Sequence, residues 1–123
     1  MILVDTSVWI DHLHQAEPKL VDLLRRYSVR CHPMVIGELA LGNIKDRETV
    51  LGSLEDLPSV VVSSHEEVMY LVTQRKLYGR GLSLVDAHLI ASVLLNPEAL
   101  LWTRDKRLRQ AAADLGVGYA GDV

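Results

Sequence analysis

Three carboxylates stand alone among apolar residues in this 123-residue chain. Asp5 is the sole ionisable group between Ile2 and Ile10, Glu38 the sole one between Pro33 and Ile44, and Asp86 shares the stretch from Leu82 to Asn96 with His88 alone. Each window reads as largely buried. A buried carboxylate without a partner is strongly penalised, so each acid must be protonated, hydrogen-bonded, paired with a cation or bound to a metal. One shared divalent cation answers all three requirements, because Mg²⁺ or Mn²⁺ takes oxygen ligands and is commonly held by a few carboxylates plus waters. Asp105 is the natural fourth contributor. Each acid also has a local reading: Asp86 lies three residues after Ser83, as in a capping box, while Asp5 and Asp105 stand at helix starts. Glu38 follows Gly37 inside a helical stretch, where Gly costs ~1 kcal/mol relative to Ala, so close backbone packing or room for a ligand is expected there.

Other chemistries find less support. His12 and His14 are two apart on a helix, share no face and read as solvated; His32, His65 and His88 lack metal-ligand spacing. No serine sits in a strand-turn-helix nucleophile elbow. The phosphate-binding patterns G-x-x-x-x-G-K-[ST] and G-x-G-x-x-G are absent from the sequence. Trp9 and Trp102 read as core residues rather than base-stacking platforms.

Alternating strands and helices must position these acids. Ile2 to Asp5 reads as a first strand, with Thr6 and Ser7 offering the cap of a helix to about Gln15. Pro18 starts a helix running to about Arg26. Val29 to His32 is a second strand, Pro33 opens a helix closed by Gly42, and Asp46 to Leu57 is a helix stopped by Pro58. The β-branched run Ser59 to Val62 predicts a third strand. His65 to Tyr78 is helical, a Gly79-Arg80-Gly81 turn follows, and Ser83 caps a helix to Leu95. Ala99 to Trp102 predicts a fourth strand. Leu108, Ala111, Ala112 and Leu115 mark the apolar face of a last helix, and Val117 to Ala120 predicts a weak fifth strand. This alternation implies an α/β fold with a parallel sheet covered by helices on both faces. Ligands in such sheets sit beyond the C-terminal strand ends, where the strand order reverses; Asp5 and Asp105 fall at or just past two of those ends.

Length and composition bound the rest. The sequence is 49% hydrophobic and 24% charged, which suits a single domain over residues 1–123. A chain of this size buries roughly two-thirds of its unfolded surface without needing disulfides. The one cysteine, Cys31, excludes a disulfide framework and fits a reducing, cytoplasmic compartment. No run of some 18 apolar residues or signal-like start is seen, so no membrane association is expected.

Thirteen basic residues against 16 acidic ones give a net charge of −3, yet the distribution admits a polyanionic substrate. Arg75, Lys76, Arg80, Arg104, Lys106, Arg107 and Arg109 cluster in two short segments. Lys106 and Arg107 occupy the first turn of a helix, where a cation is unfavourable by roughly 0.3 to 1 kcal/mol, a cost that an anionic substrate or Asp105 would offset. Arg80, Lys106 and Arg107 are therefore candidate substrate contacts.

With the four acids in view, the chain resembles a PIN-domain ribonuclease of the VapC toxin type, over nearly its whole length. The resemblance is carried by ILVDTSVWIDHL around Asp5, PMVIGELALG around Glu38, GLSLVDAHLIAS around Asp86 and LWTRDKRL around Asp105. It implies a PIN-like five-stranded parallel sheet of order 3-2-1-4-5, with Asp5, Glu38, Asp86 and Asp105 as a catalytic quartet. Asp5, Asp86 and Asp105 would hold Mg²⁺, with Mn²⁺ a substitute, and Glu38 would orient a water. Thr6 and Thr103 match hydroxyl positions beside the acids and join the candidate substrate contacts. Also implied are cleavage of RNA, structured RNA such as tRNA being the commonest target, to a 5′-phosphate and a 3′-hydroxyl, inhibition by a cognate antitoxin, and a homodimer. Two other classes compete. A phosphoryl-accepting receiver domain would need an acid ending the third strand, which Val60 to Ser64 lacks; a catalytically silent PIN-like RNA- or protein-binding module would not need the full quartet.

Overall fold

The structure, a computed structural model, describes residues 1–122; Val123, the end of the expected domain, lies outside the described residues. The element order is β1 (Ile2–Val4), α1 (Thr6–His14), α2 (Pro18–Arg25), β2 (Val29–Arg30), α3 (Pro33–Leu41), α4 (Arg47–Glu55), α5 (His65–Gln74), α6 (Leu84–Leu95), β3 (Leu100–Trp102) and α7 (Lys106–Asp114).

The sheet is parallel, in the order β2-β1-β3. All three residues of β1 are buried, so side chains leaving both faces of the sheet are covered by helices. Among the described residues three strands form where five were expected. The stretch expected as a third strand contributes a single parallel bridge, Ser59 to Cys31, and the expected fifth strand one from Gly118 to Leu101. The lateral order thus extends as anticipated, but the edges are too short to be strands. Val61 and Val62 leave the protein surface exposed, which removes the burial that would have held a longer edge in place.

Helix α6 is buried on every side from Ala87 to Val93 and is the central helix of the core. It packs on α5 and β3, with Leu3, Val4, Val8, Leu89, Ile90, Leu101 and Trp102 among the residues removed from solvent. Trp9 and Trp102 are both core residues, as expected. Helix α5 ends at Gln74 instead of Tyr78, because Lys76 takes a positive φ of 53° and turns the chain. No helix of the described residues is long and apolar enough to cross a membrane.

Candidate active site

Asp5 leaves the C-terminal end of β1 and Thr103 leaves that of β3, the two neighbouring strands between which the chain reverses its direction of travel across the sheet. The Asp5 N–H donates to the Trp102 carbonyl at 2.9 Å, extending the ladder to this point. Asp5 is buried, at 6% exposure. It occupies the N-cap position of α1 but makes no capping bond. Its Oδ2 instead accepts from the Thr103 hydroxyl at 2.7 Å and from the Ser7 hydroxyl at 2.8 Å. Ser7 Oγ in turn accepts from the Arg104 N–H at 3.0 Å, and Thr103 Oγ1 accepts from the Asp105 N–H at 3.1 Å. Two hydroxyls therefore tie the ends of β1 and β3 together around one carboxylate. Ser7 was missed as a site residue; a hydroxyl two positions after a lone Asp, able to bond back to it, was the available signal.

Asp86 lies in the first turn of α6 and does form a capping box, its Oδ2 accepting from the Ser83 N–H at 3.0 Å while Ser83 Oγ accepts from the Asp86 N–H. The local role does not exhaust it. Burial raises its pKa, and the fields of Asp5 and Asp105 raise it further, against the lowering effect of the Ser83 bonds. Carboxylates from two distant segments are thus near enough for their charges to be felt at Asp86. Asp105 is exposed and caps α7 through Oδ1, which accepts from the Leu108 N–H at 2.9 Å. Glu38 is exposed rather than buried; α3 turns Val35 and Leu39 inward, and Glu38 lies on its outer side. The Thr6 hydroxyl holds Glu38 Oε1 at 2.7 Å, linking the fourth acid to the residue next to Asp5. A Cβ at Gly37 would meet open space, so close packing does not explain that glycine.

Each acid commits one oxygen to donors of the protein, near in sequence for Asp86 and Asp105 and distant for Glu38 and, in Thr103, for Asp5, and keeps the other without a hydrogen bond among the described residues. In this arrangement no three His, Cys, Asp or Glu side chains among the described residues already converge as a metal site. The donor set nevertheless fits a hard divalent cation: the ligands are carboxylate oxygens, the charges of Asp5 and Asp105 oppose that of Asp86, and among the described residues no Arg or Lys forms an ion pair with any of the four. The nearest guanidinium in sequence, Arg104, is taken by Asp11, Glu17 and Asp122 and lies over the Trp102 ring.

The basic candidates divide. Arg80 is committed to Asp114 at 2.6 Å rather than to the acids. Lys106 and Arg107 are exposed in the first turn of α7 and make no ion pair among the described residues. The Arg107 side chain lies against Gly81. His12 is not simply solvated: Nδ1 accepts from the Glu17 N–H and the ring meets Trp9 edge to face.

A short parallel sheet with acids gathered where its strand order reverses is the arrangement of a PIN domain, and the family model for that domain matches residues 2–114. The chain belongs to the PIN-domain family. It is 55% identical over 123 residues, covering all of this chain and 99% of the relative, to ribonuclease VapC32 of Mycobacterium tuberculosis, in strain CDC 1551 / Oshkosh and again in strain H37Rv. The receiver-domain alternative falls away with this membership.

Proposed function

We propose that the protein is a metal-dependent endoribonuclease toxin of the VapC type, hydrolysing RNA phosphodiesters. The observation that carries the reading is the placing of Asp5 and Asp105, joined through Thr103 at the strand ends, near enough to Asp86 for their charges to be felt there, with no Arg or Lys among the described residues paired to any of the three. The name ribonuclease VapC32 borne by close relatives supports it.

Asp5, Asp86 and Asp105 would hold the cation, Mg²⁺ with Mn²⁺ as a substitute. A bound divalent ion supplies Lewis acidity toward a phosphoryl oxygen and lowers the pKa of water. The protein's own groups do the positioning. Ser7 and Thr103 fix one oxygen of Asp5, which sets the direction of the other. Thr6 fixes Glu38, leaving Glu38 Oε2 to accept a proton from an attacking water or orient it. Lys106 and Arg107 stand at the same strand end and would receive the RNA backbone.

Structured RNA such as tRNA is the proposed target class, with a cognate antitoxin covering the site, a homodimer as the working form and the cytoplasm as its location. Incubating the protein with tRNA and Mg²⁺, and separately with Mn²⁺, and mapping the termini tests the reading. Fragments carrying a 5′-phosphate and a 3′-hydroxyl are expected; intact RNA across both metals would overturn it.

A further inference from the structure

An apolar notch of about 230 Å³ opens between the end of α5 and the start of α6, sharing Ser83 with the capping box of Asp86, with Met69, Leu77, Tyr78, Ser83 and Ala87 on its walls. We propose that this notch receives one unpaired nucleobase of the RNA substrate, stacked on Tyr78, and so sets which nucleotide lies beside the cleaved bond. The proposal rests on the ribonuclease reading and adds a base-binding subsite to it.

Continuity with the site is the first argument. Ser83 lines the notch and its N–H holds Asp86 Oδ2 at 3.0 Å, so the wall of the notch and the acid belong to one capping box. Charge complementarity is the second. Arg107 lies against Gly81 at the rim, a built Cβ there coming within 2.6 Å of its guanidinium nitrogen, and it pairs with no carboxylate among the described residues. A cation at the rim, acids beyond the wall and an apolar interior match the order of a nucleotide: phosphate outside, ring inside. The third argument is rigidity. Leu77 is buried at 3% exposure and its N–H donates to the Val72 carbonyl at 3.0 Å, anchoring the turn, while its neighbour Tyr78 remains 63% exposed. With the backbone of the turn already anchored at Leu77, stacking has only the side-chain torsions of Tyr78 left to order. The notch is smaller than pockets for drug-sized ligands, which start near ~300 Å³, and suits one planar ring. Sequence-selective RNA recognition commonly splays single bases onto aromatic side chains.

The test uses short RNAs carrying a single 2-aminopurine at each position in turn, bound to the full-length Asp5→Asn protein in Mg²⁺. Fluorescence is expected to be quenched at one position, and Tyr78→Ala should abolish that quench and weaken binding between about fivefold and a hundredfold, the range for losing one base stack. Tyr78→Phe should retain both. An abasic nucleotide at the quenched position should weaken binding by the same factor, with Tyr78→Ala adding nothing further. Equal binding and equal fluorescence in Tyr78→Ala and its parent would overturn the notch and leave it to a protein partner. Cleavage by the protein with Asp5 intact is scored separately. Cleavage without a Tyr78-dependent quench removes the notch alone, and a quench without cleavage removes the ribonuclease reading and the notch's role beside a cleaved bond, leaving a base-binding notch.

Discussion

The Thr103 hydroxyl donates to Asp5 Oδ2 at 2.7 Å across 98 residues of sequence, in a buried bond that joins the ends of two adjacent parallel strands. Each partner explains the other: the hydroxyl offsets part of the cost of burying a carboxylate, and the carboxylate fixes the rotamer of the threonine. Because the same threonine oxygen accepts from the Asp105 N–H, it also sets where α7 begins.

Thr103→Val keeps the shape and removes the donor. Cleavage should fall about 10- to 100-fold, the usual effect of losing a group that orients a metal-binding carboxylate. Stability should drop by about 1–3 kcal/mol as the buried acceptor loses a partner. Initial rates and denaturant unfolding check both; unchanged values would mean that Ser7 alone suffices to hold Asp5.

The second prediction concerns metal linkage. Burial and the neighbouring acids raise the Asp86 pKa, so without metal the folded state disfavours its charged form and loses stability as pH rises from the ordinary carboxylate value through the raised one. Apo Asp86→Asn should therefore melt higher than the parent at pH 7, and the gap should close below the ordinary carboxylate range. Mg²⁺ or Mn²⁺ should raise the parent melting temperature and shift that of the variant much less. Equal metal responses would place the cation elsewhere.

Acid should attack the fold through His32. Its ring is buried, Nδ1 accepts from the Met34 N–H to cap α3, Nε2 has no hydrogen-bond partner among the described residues, and the His88 ring lies 6.2 Å away. Burial, and secondarily His88, depress its pKa to about 4. Above pH 6.5 both folded and unfolded states hold it neutral and its contribution is complete. As pH falls through 6.5 toward about 4 the unfolded state takes up the proton first, so stability declines, by up to roughly 3 kcal/mol for this residue. The measurement is unfolding free energy from pH 7 to pH 4. His32→Asn, which keeps a capping acceptor, should flatten the slope.

Not all of this was legible in the sequence. The central strands and the helices of the described residues follow from apolar periodicity and caps, and the isolation of the acids singled out Asp5 and Asp86, with Asp105 near enough to act on Asp86. The sheet edges did not. Ser59 to Val62 is β-branched like a strand, but an edge has one neighbour, and with Val61 and Val62 exposed only the Cys31 bridge survives. Glu38 was misjudged as buried because a run of apolar residues along the sequence becomes two faces on a helix. His12 was misjudged because its bond to the Glu17 N–H depends on how the chain turns after α1.

Lys106 and Arg107 carry a prediction about salt. On an Asp5→Asn background, RNA binding should weaken steeply as salt rises, because phosphate contacts release counterions. Lys106→Ala or Arg107→Ala should each flatten the log–log slope by about 0.7 for single-stranded RNA. Arg80→Ala should flatten it less, since Asp114 already neutralises that guanidinium. Identical slopes throughout would assign both first-turn cations to solvent or to a protein partner.

The claim that the acids act as one unit is tested most directly by RNA cleavage in Mg²⁺ with Asp5→Asn, Glu38→Gln, Asp86→Asn and Asp105→Asn, singly and in pairs. Each single change should cost on the order of a hundredfold or more, and pairs should lose little beyond the worse single variant, as groups serving one reaction centre do. Parental turnover by Asp5→Asn or Asp86→Asn, in protein shown to be folded, would contradict it.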